Sequence, residues 1–135
     1  MNVNQIFVNL PVSDIQKTRT FWTKLGFVIN EQFSDDNAIC VILNEGSIYA
    51  MFLQEEYFKT FTNRPIAKGD TTQVLLAIGV NARQEVENMV STAIANGGTR
   101  YSEPQDHGWM YQSSFADLNG HQWEVMYADM SQMNQ

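Results

Sequence analysis

Two segments of the chain have the apolar pattern of β-strands, and each is followed by apolar residues at helical spacing. Residues 5–12 alternate between two sets of side chains, and residues 73–80 are almost wholly apolar, so both predict strands. We expect Ser13 or Asp14 to cap the first helix and Asn81 to cap the second. The two predicted helices have apolar stripes at Ile15, Thr18, Phe21, Trp22 and Leu25, and at Val86, Met89, Val90, Ala93 and Ile94.

Three further strands are predicted after each helix. They lie near residues 27–33, 38–44 and 47–54 in the first half, and near 99–103, 109–116 and 121–128 in the second. The same order therefore occurs twice, which predicts an internal duplication and an α+β fold class.

The segment between the halves, residues 55–71, loses the periodicity and contains Pro65 and Gly69. We interpret it as a linker with a short helical turn near Tyr57 and Phe58. The chain is then a single domain over residues 1–135, with repeats at about 4–54 and 72–129.

Composition narrows the function classes. With 44% hydrophobic and 17% charged residues among 135, the chain is globular, and no apolar run reaches the ~20 residues of a membrane span. The N-terminal residues MNVNQIFVNL do not resemble a signal peptide, and Cys40 is the only cysteine. The net charge of −7 disfavours nucleic acid. These features predict a cytoplasmic protein with neither a membrane nor a nucleic-acid partner.

Two motifs resemble one family. FVNLPVSDIQKTRTFWTKLGF is similar to the opening, and FADLNGHQWEVMY to the closing hairpin, of the glyoxalase, bleomycin-resistance and extradiol-dioxygenase (vicinal oxygen chelate) superfamily. The resemblance implies two βαβββ repeats that form a cupped mixed sheet with helices on its outer face. It further implies a small-molecule ligand in the cup and a homodimer, since a partner chain often completes these cups.

The resemblance also assigns four metal-ligand positions, which in this chain match Phe7, Ala50, Leu75 and Glu124. Only Glu124 can bind a metal, and one carboxylate does not hold a catalytic divalent ion. We therefore expect neither a metal nor another cofactor, which counts against glyoxalase I and iron-dependent dioxygenase activity.

Two residues are candidates for acid–base chemistry. Glu124 is expected to face the cup and to act as a general acid or base, or else to be an inactive remnant of an ancestral metal site. His107 lies beside Gly108 in a loop, where it either shuttles a proton or is an exposed bystander.

The remaining candidates are ligand-binding residues, and for Asn9 a structural hydrogen bond within the sheet is an equal alternative. Trp109 and Tyr111 are expected at the mouth of the pocket, and the other candidates in the cup. The predicted ligand-binding residues are Phe7, Asn9, Ala50, Phe52, Leu75, Trp109, Tyr111, Gln122 and Met126.

Three functions remain open, and whether the protein is an enzyme is undecided. The first is a small-molecule binding protein or metal-independent enzyme with a largely apolar pocket around Glu124. The second is an acidic dimer that binds a drug without catalysis, as in the bleomycin-resistance branch. The third is a metal-dependent lyase or dioxygenase with atypical ligands such as Glu124 and His107.

Overall fold

A computed structural model describes residues 1–132 of the chain, which divides into two compact units, residues 1–69 and 70–135. The first unit contains β1 (Ile6–Val12), α1 (Ile15–Lys24), β2 (Val28–Ile29), β3 (Ala38–Asn44), β4 (Ile48–Gln54) and α2 (Glu55–Phe58), with 3₁₀ turns at Glu31–Phe33 and Lys59–Phe61. The second contains β5 (Leu75–Gly79), α3 (Arg83–Ala95), β6 (Gln105–Asp106), β7 (Met110–Ala116) and β8 (Gln122–Ala128), with a 3₁₀ turn at Met130–Gln132.

Each unit forms its own four-stranded mixed sheet. The strand orders are β1-β4-β3-β2 and β5-β8-β7-β6, so the two sheets have the same topology. The first strand of each unit runs parallel to the last, and the other neighbours are antiparallel. The predicted α+β class and the βαβββ units are therefore confirmed. The interpretation of residues 1–135 as one domain stays a prediction.

The helix boundaries follow local signals with one exception. Asp14 caps α1, because its carboxylate accepts a hydrogen bond from the Lys17 N–H at 3.0 Å. Positive φ angles of 100° at Gly26 and 104° at Gly97 follow the ends of α1 and α3, as expected of helix-terminating glycines. The prediction for Asn81 is wrong: α3 is preceded by Ala82, which offers no side-chain acceptor.

Two predicted strands are shorter or displaced. The strand expected over 27–33 ends at Ile29, because Asn30 caps a 3₁₀ turn by accepting from the Gln32 N–H at 3.1 Å. The strand expected at 99–103 is replaced by a single bridge between Thr99 and Ala116, and β6 lies after Pro104. The short helix α2 occupies the position of the turn predicted near Tyr57 and Phe58.

One face of each sheet packs on its helix and forms the core. In the first unit the fully buried Trp22 of α1 lies 5.2 Å from the Phe52 ring of β4. In the second, α3 lies against β7 and β8, and Trp123, Val125 and Val86 are fully buried. Within residues 1–132, no helix has both the length and the apolar character needed to cross a bilayer.

Candidate functional site

The candidate site lies on the face of the second sheet that points away from α3. Since register partners share a face, Leu75, Gln122 and Ala116 form one row across this sheet, and Ala77, Glu124 and Ser114 form the next. A third row holds Gly79, Met126, Gln112 and Gln105. We call this surface the C-terminal distal face, and its side chains are Leu75, Ala77, Gln105, Gln112, Ser114, Ala116, Gln122, Glu124 and Met126.

Glu124 is held by one neighbour. The Gln112 side-chain amide donates from Nε2 to Glu124 Oε2 at 2.7 Å, diagonally across the β7–β8 pair. Glu124 is partly buried and, among residues 1–132, has no cation within ion-pair distance. A hydrogen bond of this length between an amide and a carboxylate restricts both side chains. The orientation of the Glu124 carboxylate is therefore fixed, and its charge has no counter-ion among residues 1–132.

Gln122 is also oriented by a hydrogen bond. The Thr72 hydroxyl, in the segment before β5, donates to Gln122 Oε1 at 2.6 Å. The Gln122 carbonyl oxygen is therefore engaged, and its NH₂ group is available to an acceptor on the distal face.

Tyr101 and two serines lie beside Glu124. Ser102 and Ser114 share a hydrogen bond of 2.7 Å between their hydroxyl oxygens, and the Tyr101 hydroxyl also bonds to Ser114. Burial, and to a smaller extent the negative charge of Glu124, raises the pKa of the Tyr101 phenol. Tyr101 is therefore a neutral donor near the carboxylate at physiological pH.

His107 lies near this face without touching Glu124. Its ring Nε2 is 3.3 Å from Gln105 Oε1, and Gln105 pairs with Gln112 in the β6–β7 register. Two glutamines therefore lie between the imidazole and the carboxylate. The two predicted acid–base residues are in one neighbourhood, but they share no hydrogen bond.

Tyr111 lies in different surroundings from those expected, whereas the position of Trp109 at a pocket mouth stays a prediction. Tyr111 faces α3, where the guanidinium carbon of Arg83 lies 4.1 Å from its ring centroid, and burial raises the pKa of its phenol. The prediction of Tyr111 at the pocket mouth is therefore wrong, since β7 alternation puts it on the helix side. Trp109 is partly buried just before β7, and its carbonyl accepts from the Asp129 N–H at 2.7 Å.

In the first unit, the prediction for β4 is wrong by one residue. Ala50 and Phe52 pair with Val8 and Leu10, are fully buried and face α1. The residues that share the opposite, N-terminal distal face with Phe7 and Asn9 are Tyr49 and Met51. Phe7 stacks on Tyr49 with ring centroids 4.7 Å apart. The Asn9 side chain is exposed and makes no hydrogen bond to any of residues 1–132.

The side chains present do not fit a divalent metal ion. Correcting the β4 position replaces Ala50 by Tyr49 or Met51, and Glu124 remains the only carboxylate at the positions that the resemblance assigns to ligands. Across residues 1–132, no three His, Cys, Asp or Glu side chains converge as a metal site would require.

A buried aspartate holds the turn from which β8 begins. Asp117 Oδ1 accepts from the N–H groups of Asn119 and His121, and Oδ2 accepts from the Trp123 indole, each at 3.0 Å. Burial raises the pKa of this carboxyl, while the charge interaction with His121 and the three hydrogen-bond donors oppose the shift. The hydrogen bond to Asp117 holds Trp123 on the core side of β8. Since successive side chains of a strand point to opposite faces, its neighbours Gln122 and Glu124 lie on the distal face.

Sequence reasoning missed six polar residues of this neighbourhood: Thr72, Tyr101, Ser102, Gln105, Gln112 and Ser114. For Gln112 a signal exists, because counting back through the Asp117 turn with strand alternation puts it on the same face as Glu124. Thr72 and Tyr101 lie outside regular strands, where alternation gives no information.

Comparison with known protein families identifies one family for this chain. The model described as the Glyoxalase/Bleomycin resistance protein/Dioxygenase superfamily matches residues 3–125. No curated protein sequence matches the chain.

Several solved structures share the fold. A hypothetical protein from S. aureus is 25% identical with a TM-score of 0.77, over 95% of this chain and 96% of that one. A glyoxalase/bleomycin resistance protein/dioxygenase family enzyme from Burkholderia phytofirmans is 19% identical with a TM-score of 0.77, over 95% and 99%. A glyoxalase-related enzyme from Fulvimarina pelagi is 20% identical with a TM-score of 0.73, over 91% and 87%.

Proposed function

The chain belongs to the glyoxalase, bleomycin resistance protein and dioxygenase superfamily, and from this premise we propose that it binds a small molecule on its C-terminal distal face. Membership of this superfamily supports a fold that binds small molecules or catalyses their reactions. The observation that carries the proposal is the hydrogen bond from Gln112 to Glu124, which orients on this face a carboxylate that has no cation partner among residues 1–132.

The C-terminal distal face offers a ligand both polar and apolar contacts. Leu75, Ala77 and Met126 provide the apolar part, and Leu75 is 51% exposed. The amides of Gln112 and Gln122 provide polar contacts, so the site is less apolar than the sequence suggests. Such a combination of apolar surface and a few oriented polar groups is typical of ligand sites.

If the bound molecule reacts, proton transfer by Glu124 is the proposed chemistry. A partly buried carboxylate fixed by a neighbouring amide is a suitable base for a C–H or N–H proton of the ligand. We propose that the Tyr101 hydroxyl, whose pKa the negative charge of Glu124 helps to raise, donates to an oxygen of the same molecule. We assign no role to His107, because Gln105 and Gln112 lie between it and Glu124.

The test is a fragment screen on the isotope-labelled full chain, read from the side-chain NH₂ signals of Gln112 and Gln122 in ¹⁵N correlation spectra. We expect the fragments that bind to shift these two signals. Glu124→Gln should weaken those with polar contacts about tenfold, since a hydrogen bond to a charged group contributes roughly 1.5–3 kcal/mol.

The matched control is Glu85→Gln, which removes the same charge from the exposed first turn of α3. It should leave binding unchanged. Fragments that shift signals only elsewhere in the chain, or that bind the Glu124→Gln protein as well as the wild type, contradict the proposal. A homodimer and a cytoplasmic location stay predictions from the resemblance and the composition.

A further inference from the structure

The hydrogen bonds of the C-terminal distal face fix which polar atoms remain for a ligand. Gln112 uses its NH₂ group on Glu124, so its carbonyl Oε1 is left as an acceptor. Glu124 uses Oε2 in the same bond, so Oε1 is left as a second acceptor. Gln122 uses its carbonyl on Thr72, so Nε2 is left as a donor. Among residues 1–132, none of these three atoms has another hydrogen-bond partner.

The charge of this face has one sign. Glu124 is the only acidic or basic side chain among the residues that define this face, and it forms no ion pair with any of residues 1–132. Because Glu124 is partly buried, water screens its charge less than it screens an exposed carboxylate. A cation that binds here therefore gains a charge-assisted hydrogen bond, whereas an anion is repelled.

We infer that the ligand's polar end is a cationic nitrogen group with at least two N–H donors, such as an ammonium, amidinium or guanidinium. This inference rests on the function proposed above. One N–H donates to Glu124 Oε1 and a second to Gln112 Oε1. A neighbouring carbonyl or hydroxyl of the ligand accepts from Gln122 Nε2. The apolar remainder lies along Leu75 and Ala77, which occupy the adjacent strand beside Gln122 and Glu124.

Three molecules of nearly identical shape test the charge requirement: benzamidinium, benzamide and benzoate. Each is titrated into the full labelled chain at constant ionic strength, and the Gln112 and Gln122 side-chain NH₂ signals are followed. We expect benzamidinium to shift both signals and to bind about tenfold more tightly than benzamide. Benzoate should produce no shift at the same concentrations.

The variants separate charge from shape. Glu124→Gln should make the affinities for benzamidinium and benzamide equal within about twofold, while Glu85→Gln should keep the wild-type ratio. Gln112→Leu removes the second acceptor and should lower the benzamidinium affinity without abolishing it. If Glu124→Gln unfolds the chain, seen as loss of spectral dispersion, the Gln112→Leu variant and the three-ligand series on wild type still decide.

The outcomes distinguish this inference from the function on which it rests. If benzamide or benzoate shifts the glutamine signals as strongly as benzamidinium, the cation requirement is wrong and the proposed site stands. If none of the three shifts them up to the solubility limit, the inference is overturned. The broader fragment screen then decides the proposed function separately. If benzamidinium binding falls equally in Glu85→Gln and Glu124→Gln, the net surface charge of the protein explains the binding. That result would also overturn the inference.

Discussion

The two units have the same strand order but different side chains on their distal faces. In the first unit, Phe7 stacks on the buried Tyr49, so two aromatic rings cover one register position of the β1–β4 pair. In the second unit the corresponding β5–β8 pair carries Leu75 and Gln122, followed by Ala77 and Glu124. The βαβββ frame therefore fixes where side chains point, and the residue types at those positions decide whether a face is apolar or polar.

The hairpins that support the two faces are also held differently. In the first, the Tyr49 hydroxyl accepts one hydrogen bond, from the Gly46 N–H at 2.9 Å. In the second, the buried Asp117 carboxylate accepts three. Loss of the Asp117 carboxylate should therefore destabilise the chain much more than loss of the Tyr49 hydroxyl.

The largest effect is expected for Asp117→Ala. The variant leaves two backbone N–H groups and the indole N–H of the buried Trp123 without their acceptor, at a cost of about 3 kcal/mol in the free energy of unfolding. Urea unfolding followed by circular dichroism measures this loss. The control is Asp35→Ala in the first unit. Asp35 is exposed, its carboxylate accepts from the Asn37 N–H, and its loss should cost less than about 1 kcal/mol. Equal losses in the two variants would contradict the comparison.

Sequence patterns predicted the fold because its strands and helices place apolar residues at regular intervals along the chain. Strand alternation and helical spacing carried the element order. The face of β4 was predicted wrongly, and the first hairpin contains a register shift between Ile42 and Asn44 that the second hairpin lacks over the described pairs. A shift of one residue exchanges the two faces of a strand, and periodicity does not report it.

The site was predictable only in part, for the same reason. Glu124, Gln122 and Met126 share a regular strand, so alternation places them on one face. The bond from Gln112 depends on the pairing of β7 with β8, and the bond from Thr72 on an irregular segment. These contacts arise from tertiary structure that a local pattern does not contain.

A smaller effect is expected for Tyr49→Phe. The substitution keeps the ring that stacks on Phe7 and removes only the acceptor for Gly46, so the free energy of unfolding should fall by about 1 kcal/mol. The same urea titration measures it. A loss as large as that of Asp117→Ala would show that the first hairpin depends equally on one side chain.

The smallest effect concerns an ion pair that each unit has between its helix and the segment near its short strand. Arg19 pairs with Glu31 at 2.6 Å, and Arg83 pairs with Asp106 at 2.5 Å. The hydrogen bond from Arg83 lowers the pKa of Asp106 below its ordinary value of 3.8. The stabilisation is therefore present above about pH 4 and is lost as the pH falls through the lowered pKa.

Asp106→Asn should be slightly less stable than the wild type at pH 7, and the difference should vanish as the pH falls toward 2. Because both partners are exposed, the loss should be smaller than that of Tyr49→Phe. Thermal unfolding from pH 2 to 7 measures it, with Glu31→Gln as the counterpart in the first unit. A difference that grows toward low pH would contradict the assigned direction of the pKa shift.

The alternation along β8 has a consequence for how this protein can change over evolutionary time. Trp123 and Val125 belong to the core, whereas Gln122, Glu124 and Met126 between and beside them do not contribute to packing against α3. Substitutions at the second set leave no cavity in the interior, so they carry little folding penalty. A lineage with this fold can therefore acquire a new ligand by changing alternate residues of one strand, while the intervening residues conserve its architecture.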